Sequence, residues 1–243
     1  MKKKRTLSID IGGSGLKAAV LDDRGRMLGE RVRVPTPSPA SPRRLLEALD
    51  GLVAQMPAFD RVSVGFPGVI RNGRVLTAHN LGDDQWEGYR LAEAVARRWS
   101  RPVRTCNDAD MQGLAVVRRK GLEVVITLGT GFGSAMFEDG RLLPHLEFAH
   151  HPLTSGHTYE GYVGQVALKR VGRKRWNRRV EKAIERLRAL THFDRLYIGG
   201  GNARLIRFAP ARDVRVVSNR AGILGGIALW DVSGHEASAP GGR

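Results

Sequence analysis

Two aspartates stand where a strand-like run meets a turn, and each could serve a different part of one reaction. Asp108 follows the run 103–107 and begins a helical pattern, a position from which a carboxylate can accept a hydroxyl proton. Asp10 is the single acid in an apolar run before Gly12, and such a carboxylate could orient Mg²⁺ through water. Both positions also suit plain capping of a helix or a turn. The pair is compatible with phosphoryl transfer to an alcohol, and capping is the alternative.

Two glycine-rich turns share one pattern, because each lies between two apolar runs. The first is Gly12-Gly13-Ser14-Gly15, followed by Lys17, and the second contains Gly129, Thr130, Gly131 and Gly133. Glycine permits a positive φ and a close approach of the backbone, so the N–H groups of such hairpin turns can surround a phosphate. Strand-like runs follow both turns, which excludes the Walker and dinucleotide patterns. The repetition predicts two similar lobes that bind one phosphoryl donor.

A third glycine run, Gly199-Gly200-Gly201, follows the strand-like run 195–198. It leaves room for a phosphate chain, although an ordinary turn between a strand and a helix explains it equally well.

The elements that must position these residues occur in two series. Apolar spacing predicts helices from Leu45 to Val53 and from Leu91 to Trp99, and a buried strand at 62–66. After Asp108 a helix is predicted to run until Gly121, and strands are predicted at 6–21 and 27–34. Strands followed by helices, twice over, predict an α/β fold with mixed sheets. We expect an N-terminal lobe at 1–106, a C-terminal lobe at 107–232 whose final helix (219–230) packs back on the first lobe, and a disordered tail at 233–243.

Composition narrows the class of protein. The 243 residues carry 40 Lys and Arg against 24 Asp and Glu, a formal charge of +16, which indicates a polyanionic partner such as nucleic acid, a membrane surface or polyphosphate. No apolar run is long enough for a membrane span, so we expect a cytoplasmic protein. The single cysteine, Cys106, excludes an internal disulfide and a multi-cysteine zinc site.

The positive charge is densest where a helical pattern begins. The residues we take as candidates for polyanion binding are Lys169, Arg170, Arg173, Lys174, Arg175, Arg178 and Arg179. A solvated helix face is the equally weighted alternative.

Taken together, these segments resemble the ROK-family sugar kinases of the actin/hexokinase superfamily, and among them most of all the polyphosphate glucokinases. The similar segments are 10–17, 65–70, 77–81 with Trp86, 102–110, 126–135, 198–201 and 219–225. They occur in the order typical of the family and span residues 5–230. The resemblance implies a two-lobed, ribonuclease H-like fold with a cleft between lobes that close on the substrate.

The resemblance also implies residue roles. Asp108 would be the general base for the 6-hydroxyl of a hexose, expected to be glucose, and Asn80 and Asn107 would bind other hydroxyls. The two glycine-rich turns and 199–201 would hold the donor, which is polyphosphate, ATP or both, with Mg²⁺. A homodimer is expected, and nucleic acid is not an expected partner.

One segment departs from the family pattern. Glu147 and His150 are retained, but Ala149 replaces a glycine, and the cysteines of the family's zinc loop are missing before the segment with Glu160. Glu147, His150 and Glu160 could still surround the sugar. Zinc is not expected, because the histidines 145, 150, 151 and 157 lack thiolate partners.

Two functions remain open from the sequence. The first is a Mg²⁺-dependent glucokinase, with the choice of hexose and donor undetermined. The second is a non-catalytic protein of the same fold that binds sugar or polyanion in a regulatory role.

Overall fold

The computed structural model describes residues 4–218 and 220–231, which divide into two compact units. The first unit contains residues 4–115 and the segment from Gly222, and the second contains Val116–Ala221. The sequence-based boundary before Asn107 lies earlier, because the strand and the helix on either side of Asn107 both pack in the first unit. Asn219, where the last helix was predicted to begin, and the predicted disordered tail 233–243 lie outside the described residues.

The first unit is built around a five-stranded mixed sheet. Its elements are β1 (Thr6–Gly12), β2 (Gly15–Leu21), β3 (Val32–Val34), α1 (Pro42–Val53), β4 (Arg61–Phe66), β5 (Ile70–Arg71), β6 (Arg74–Val75), α2 (Leu91–Trp99), β7 (Val103–Asn107), α3 (Asp108–Leu114) and α6 (Ala221–Ala228). The sheet order is β3-β2-β1-β4-β7. The pairs β3-β2 and β2-β1 are antiparallel, and β1-β4 and β4-β7 are parallel.

Helices cover the central strands of this sheet, which explains why β1 is buried along almost its whole length. The leucines of α1 (Leu45, Leu46, Leu49 and Leu52) are buried in the core of the unit. α6 packs on the sheet through small residues, since a Cβ on Gly226 would lie 2.3 Å from Ser8 Oγ. Ser8 and Ser63, which are buried in the strands, donate hydrogen bonds to the α6 carbonyls of Ile223 and Gly226.

The second unit repeats the same plan. Its elements are β8 (Leu122–Leu128), β9 (Phe132–Glu138), β10 (Arg141–Leu142), β11 (Pro152–Thr154), β12 (His157–Thr158), α4 (Tyr159–Val163), α5 (Gln165–Thr191), β13 (Arg195–Gly199) and β14 (Val214–Val216). The sheet order is β10-β9-β8-β13-β14, with an antiparallel hairpin on one side and parallel strands on the other. A separate core lies between this sheet and α5.

Two sequence-based boundaries were wrong, and one helix contains an interruption that was not predicted. α3 ends at Leu114 and not near Gly121, because the segment after it turns around the buried carboxylate of Glu123, which accepts the N–H groups of Arg118 and Arg119 at 2.8 and 2.7 Å. The run 27–34 forms strand structure at Val32–Val34 and a single bridge at Met27. α5 is interrupted at Gly172, whose φ of 72° and ψ of 161° are not helical.

No helix within residues 4–218 and 220–231 combines the length and the apolar character needed to cross a membrane.

Candidate active site

The first glycine-rich turn joins β1 to β2 through a two-residue loop, because Gly12 pairs with Gly15. Lys17 lies opposite Asp10, and its Nζ donates to Asp10 Oδ2 at 2.7 Å. Both side chains are mostly buried, 17% and 11% exposed, so this pair is shielded from solvent far more than a surface salt bridge. Lys17, predicted to bind the donor, is thus also the residue that fixes the Asp10 carboxylate.

The glycines of this turn lie close to neighbouring groups, since a Cβ on Gly12 would lie 3.2 Å from Gly15 O. Neither Gly12 nor Gly15 has a φ in the left-handed region, so the positive φ expected of glycine in such a turn is not used at these two positions. A Cβ on Gly15 would lie 2.8 Å from the Arg33 guanidinium, whose Nη2 donates to Ser14 O at 3.4 Å. Thr36 Oγ1 also donates to Gly12 O at 2.6 Å, so the turn is held from its outer side.

Asp10 and Asp108 lie at the same edge of the first sheet. Asp10 is adjacent to Gly65 on β4, and Gly65 is adjacent to Cys106 on β7, one and two residues before Asn107 and Asp108. Two strand spacings separate the backbones of Asp10 and Cys106 by about 10 Å. The carboxyl ends of parallel strands form the usual ligand edge of an α/β sheet, so the register brings both predicted acids to that edge.

The start of α3 is fixed by capping. Asn107 is the N-cap residue, and its Oδ1 accepts the Ala109 N–H at 2.7 Å. Asp108 Oδ1 accepts the same N–H at 2.9 Å. The structural role that the sequence analysis considered for Asp108 therefore falls mainly on Asn107, a good N-cap residue.

Two glycines allow α3 to lie close to its neighbours. A Cβ on Gly65 would lie 2.6 Å from Met111 Cε and 3.3 Å from the Asp108 Cα, and a Cβ on Gly225 of α6 would lie 1.6 Å from Met111 O. A methyl group at Gly225 would collide with backbone and force α3 to move. The glycines at 65 and 225 thus determine where α3 holds the Asp108 backbone.

The predicted sugar-side residues lie on the loops that follow β4. Asn107 Nδ2 donates to Gly68 O at 3.1 Å, which links the end of β7 to the Pro67-Gly68 turn. Asn80 is exposed in the following loop. Trp86, part of the family-like segments, is fully buried, packs on Phe66 and donates to Ala40 O at 2.8 Å, so it supports these loops from the core.

The second glycine-rich turn is one residue longer than the first. Leu128 pairs with Phe132, leaving Gly129, Thr130 and Gly131 in the loop, and Gly133 follows on β9. Thr130 is exposed, and a Cβ on Gly129 would meet no heavy atom within 4 Å. The backbone of this loop therefore has open space beside it.

Two amide side chains support this loop from within the second unit. Asn202 Nδ2 donates to Gly129 O at 3.1 Å and to Gln165 Oε1 at 2.8 Å. The backbone N–H of Gln165 donates to Thr130 O at 3.2 Å. Neither residue was predicted from the sequence, because an amide beside a glycine turn gives no spacing signal, and only the fold brings 165 and 202 to 130.

In the run Gly199-Gly200-Gly201, the position of Gly200 requires glycine. Gly200 has a φ of 84°, and a Cβ there would lie 2.4 Å from Leu128 O, directly before the second glycine-rich turn. A Cβ on Gly201 would meet nothing within 4 Å. Gly199 is the last residue of β13 and lies beside Thr127.

The three further sugar-binding candidates all lie in the second unit. Glu160 Oε2 accepts the Phe132 N–H at 3.3 Å, so this carboxylate contacts the base of the second turn. Glu147 Oε2 lies 3.7 Å from His145 Nε2, and His150 is exposed in the short helix Phe148–His150. Ala149, which replaces the family glycine, is buried in the core of the unit.

The basic candidates differ in their surroundings. Arg179 stacks on the Tyr162 ring at 4.5 Å, whereas Arg173, Lys174 and Arg178 line an open cavity. Lys169, Arg170 and Arg175 are exposed.

The described residues do not fit a structural zinc centre. They contain no group of three or more histidine, cysteine or acidic side chains arranged to hold a metal ion. The Cys106 thiol is fully buried in the first unit, and burial, followed by the nearby charges of Asp110 and Asp108, raises its pKa well above the usual value. A thiol held in its neutral form is a poor zinc ligand.

Comparison with solved structures defines the class of this fold. The crystal structure of the inorganic polyphosphate/ATP-glucomannokinase of Arthrobacter sp. strain KM is 34% identical, with a TM-score of 0.82 over 94% of this chain and 98% of that chain. The fold is therefore that of the actin/hexokinase-like sugar kinases.

The chain belongs to the ROK family, whose family model matches residues 6–161. The polyphosphate glucokinase of Mycobacterium leprae is 31% identical over 92% of this chain and 74% of its own length. The polyphosphate glucokinase of Mycobacterium tuberculosis is 30% identical over 92% of this chain and 90% of its own length.

Proposed function

We propose that this ROK protein is a glucokinase that transfers a phosphoryl group from polyphosphate, and also from ATP, to the 6-hydroxyl of glucose. The observation that carries the proposal is Asp108, which stands at the ligand edge of the first sheet in a family-like segment. Relatives named polyphosphate glucokinase, similar over 92% of this chain, support the donor and the acceptor. A relative named glucomannokinase makes mannose the second hexose to test.

Asp108 is the proposed general base. Its carboxylate accepts the proton of the 6-hydroxyl as the O6–P bond forms and the bridging P–O bond of the donor breaks. The leaving group is a polyphosphate shorter by one phosphate, or ADP. Asn80 and Asn107 orient the other hydroxyls from the first unit, and Glu147, His150 and Glu160 do so from the second.

Asp10 is the proposed residue for Mg²⁺. Its Oδ2 is occupied by Lys17, whereas its Oδ1 has no hydrogen-bond partner among the described residues. A single carboxylate oxygen suits Mg²⁺, which keeps several waters and takes its remaining ligands from phosphates. Asp10 would hold the ion through a water molecule, and the bound ion would neutralise phosphate charge during transfer.

The two glycine-rich turns are the proposed donor site. The backbone N–H groups of Gly13 and Ser14 in the first turn and of Thr130 and Gly131 in the second, with the Thr130 hydroxyl, can donate to phosphate oxygens, and Gly199–Gly201 leaves room beside the second turn. The carbonyl of Gly129 accepts a hydrogen bond from Asn202 Nδ2, and that of Thr130 accepts one from the Gln165 backbone N–H. Because these carbonyls bond within the protein, the arrangement favours a loop whose N–H groups face the donor.

We also propose a cytoplasmic homodimer, on the basis of the family resemblance. Sedimentation velocity of the purified chain tests the oligomeric state.

The variant Asp108→Asn distinguishes a kinase from a protein that only binds sugar. We expect glucose to bind with unchanged affinity in calorimetry, and turnover to fall by about 10²- to 10⁴-fold because the base is lost. A turnover within about threefold of the wild type would contradict the assigned role. Circular dichroism and the melting temperature serve as the folding control.

A further inference from the structure

An open cavity of about 520 Å³ lies in the second unit, beside the middle of α5. Its lining contains four cationic side chains, one carboxylate, one amide and one aromatic ring. These are Arg173, Lys174, Arg178, Arg207, Glu181, Asn177 and Phe208. We call this feature the basic groove.

The groove has two walls that are tied together by a buried amide. Asn177, only 7% exposed, donates from Nδ2 to Arg173 O at 2.9 Å and to Leu205 O at 3.1 Å. Its Oδ1 accepts the Arg207 N–H at 2.7 Å. Asn177 therefore joins α5 to the segment 205–207 and gives the groove a fixed shape.

The cations of the groove differ from the other basic residues of α5. Arg188 forms an ion pair with Asp213, and Arg179 stacks on Tyr162, so both have structural partners. Lys174 and Arg178 form no ion pair or hydrogen bond with any described residue. Their charges face a cavity and remain available to an anion.

Both walls begin at the second glycine-rich turn. Gln165, the first residue of α5, donates its N–H to Thr130 O, and Asn202 donates to Gly129 O and to Gln165 Oε1. From these contacts, α5 leads to Lys174 nine residues along the chain, past its interruption at Gly172, and the other wall leads from Asn202 to Arg207. Short stretches of chain within one unit thus connect the groove to the proposed donor site.

We propose that the basic groove binds the distal phosphates of an inorganic polyphosphate chain whose reacting end lies at the turn Gly129–Gly131. This inference rests on the proposed function and adds a second subsite to it. A chain with a charge on every phosphate gains affinity from each cation along its path, whereas ATP ends after three phosphates and gains from fewer of them. The lining offers one aromatic ring, Phe208, whereas single-stranded nucleic acid is bound on series of stacking rings.

The test compares two double variants that remove the same charge. Lys174→Gln with Arg178→Gln removes two cations of the groove, and Lys182→Gln with Arg186→Gln removes two exposed cations of α5 outside its lining. Binding of long-chain polyphosphate is measured by calorimetry at several salt concentrations, and phosphorylation is measured with long-chain polyphosphate, tripolyphosphate and ATP.

We expect the groove pair to weaken long-chain binding about tenfold and to reduce the slope of log affinity against log salt by one to two, because about two phosphate contacts are lost. KM for ATP and for tripolyphosphate should stay within about twofold. The control pair should leave all of these within about twofold. Glu181→Gln should act in the opposite direction and strengthen long-chain binding, because it removes the carboxylate of the lining.

If the two double variants lost the same affinity for long-chain polyphosphate, the proposed subsite would be overturned, since the result would indicate general attraction by net charge. The proposal would also be overturned if the groove variant lost activity with ATP and with long-chain polyphosphate to the same extent. Displacement of polyphosphate by equimolar single-stranded nucleic acid would instead assign the groove to nucleic acid. Because binding is measured without turnover, an inactive wild type would count against the proposed kinase and leave the groove testable.

Discussion

The two sheets of this protein have the same strand order and the same pattern of parallel and antiparallel pairs, yet their acids lie at opposite ends of corresponding strands. On β1, Asp10 lies near the turn, and the far end carries Thr6, whose Oγ1 accepts Arg61 Nε at 2.8 Å. On β8, the corresponding positions are Thr127 near the turn and Glu123 at the far end, beside Arg195.

The two acids have different surroundings. Glu123 is fully buried and accepts from the Tyr197 hydroxyl at 2.7 Å and from the backbone of Arg118 and Arg119, so its oxygens are used by the fold. Asp10 keeps one oxygen without such a partner in the described chain. The repeated scaffold thus holds a fully bonded carboxylate in the second sheet and, in the first, the carboxylate to which we assign the proposed Mg²⁺ role.

The largest expected effect is on stability and comes from a substitution that disrupts the second glycine-rich turn. Gly200→Ala should lower the free energy of unfolding by about 2–4 kcal/mol, because φ is positive and the added methyl group would meet Leu128 O. Gly129→Ala is the matched control, since its Cβ would meet open space, and it should cost less than about 1 kcal/mol. Urea unfolding of the two variants measures both values, and equal losses would contradict the close contact at Gly200.

The next prediction compares equivalent positions of the two sheets. Asp10→Asn should lower kcat/KM about 10- to 100-fold and raise the Mg²⁺ concentration needed for half-maximal rate, because the proposed metal residue loses its charge. Thr127→Val, at the corresponding position of β8, should change kcat/KM less than about fivefold. Mg²⁺ titrations of the initial rate measure the difference. An unchanged Mg²⁺ dependence in Asp10→Asn would remove Asp10 from the metal site.

The smallest effect concerns the buried acid of the second sheet. Burial, aided by the hydrogen bond to Glu123, raises the pKa of Tyr197 to about 12, above the value of about 10 for an unfolded chain. A pKa that is higher in the folded state gives stability that is present below pH 10 and is lost as the pH rises towards 12. Tyr197→Phe should cost about 1 kcal/mol at pH 8.

The pH dependence of the unfolding free energy tests the raised pKa of Tyr197. The difference in unfolding free energy between wild type and Tyr197→Phe should shrink between pH 10 and pH 12. A constant difference across this range would show that the hydroxyl of Tyr197 does not titrate against Glu123.

Much of the fold was predictable from the sequence because local signals agreed with tertiary packing. The helix predicted at Leu91–Trp99 has those bounds in the structure, and both glycine-rich hairpins form as predicted. The end of α3 was not predicted, because no spacing signal marks the local turn in which the N–H groups of Arg118 and Arg119 donate to the buried carboxylate of Glu123, five and four residues further along the chain. Likewise, nothing in the spacing around Gly172 indicated a positive φ within α5.

The placement of the two candidate acids could be predicted from the sequence for the same reason. Asp10 and Asp108 follow strand ends, and the parallel register of β1, β4 and β7 brings both to one sheet edge. The supports at Gln165 and Asn202, and the second wall of the basic groove at Arg207, depend on contacts between distant segments. Gly12 and Gly15 flank the first turn as predicted, but neither uses a positive φ there.

The most direct test of the central claim is an assay for glucose 6-phosphate with the purified wild type, glucose and Mg²⁺, using ATP and long-chain polyphosphate in parallel at two salt concentrations. We predict product with both donors and stronger inhibition by salt with polyphosphate, because that donor relies on more charged contacts. Absence of product with both donors, for glucose and for mannose, would contradict the assignment of this protein as a glucokinase.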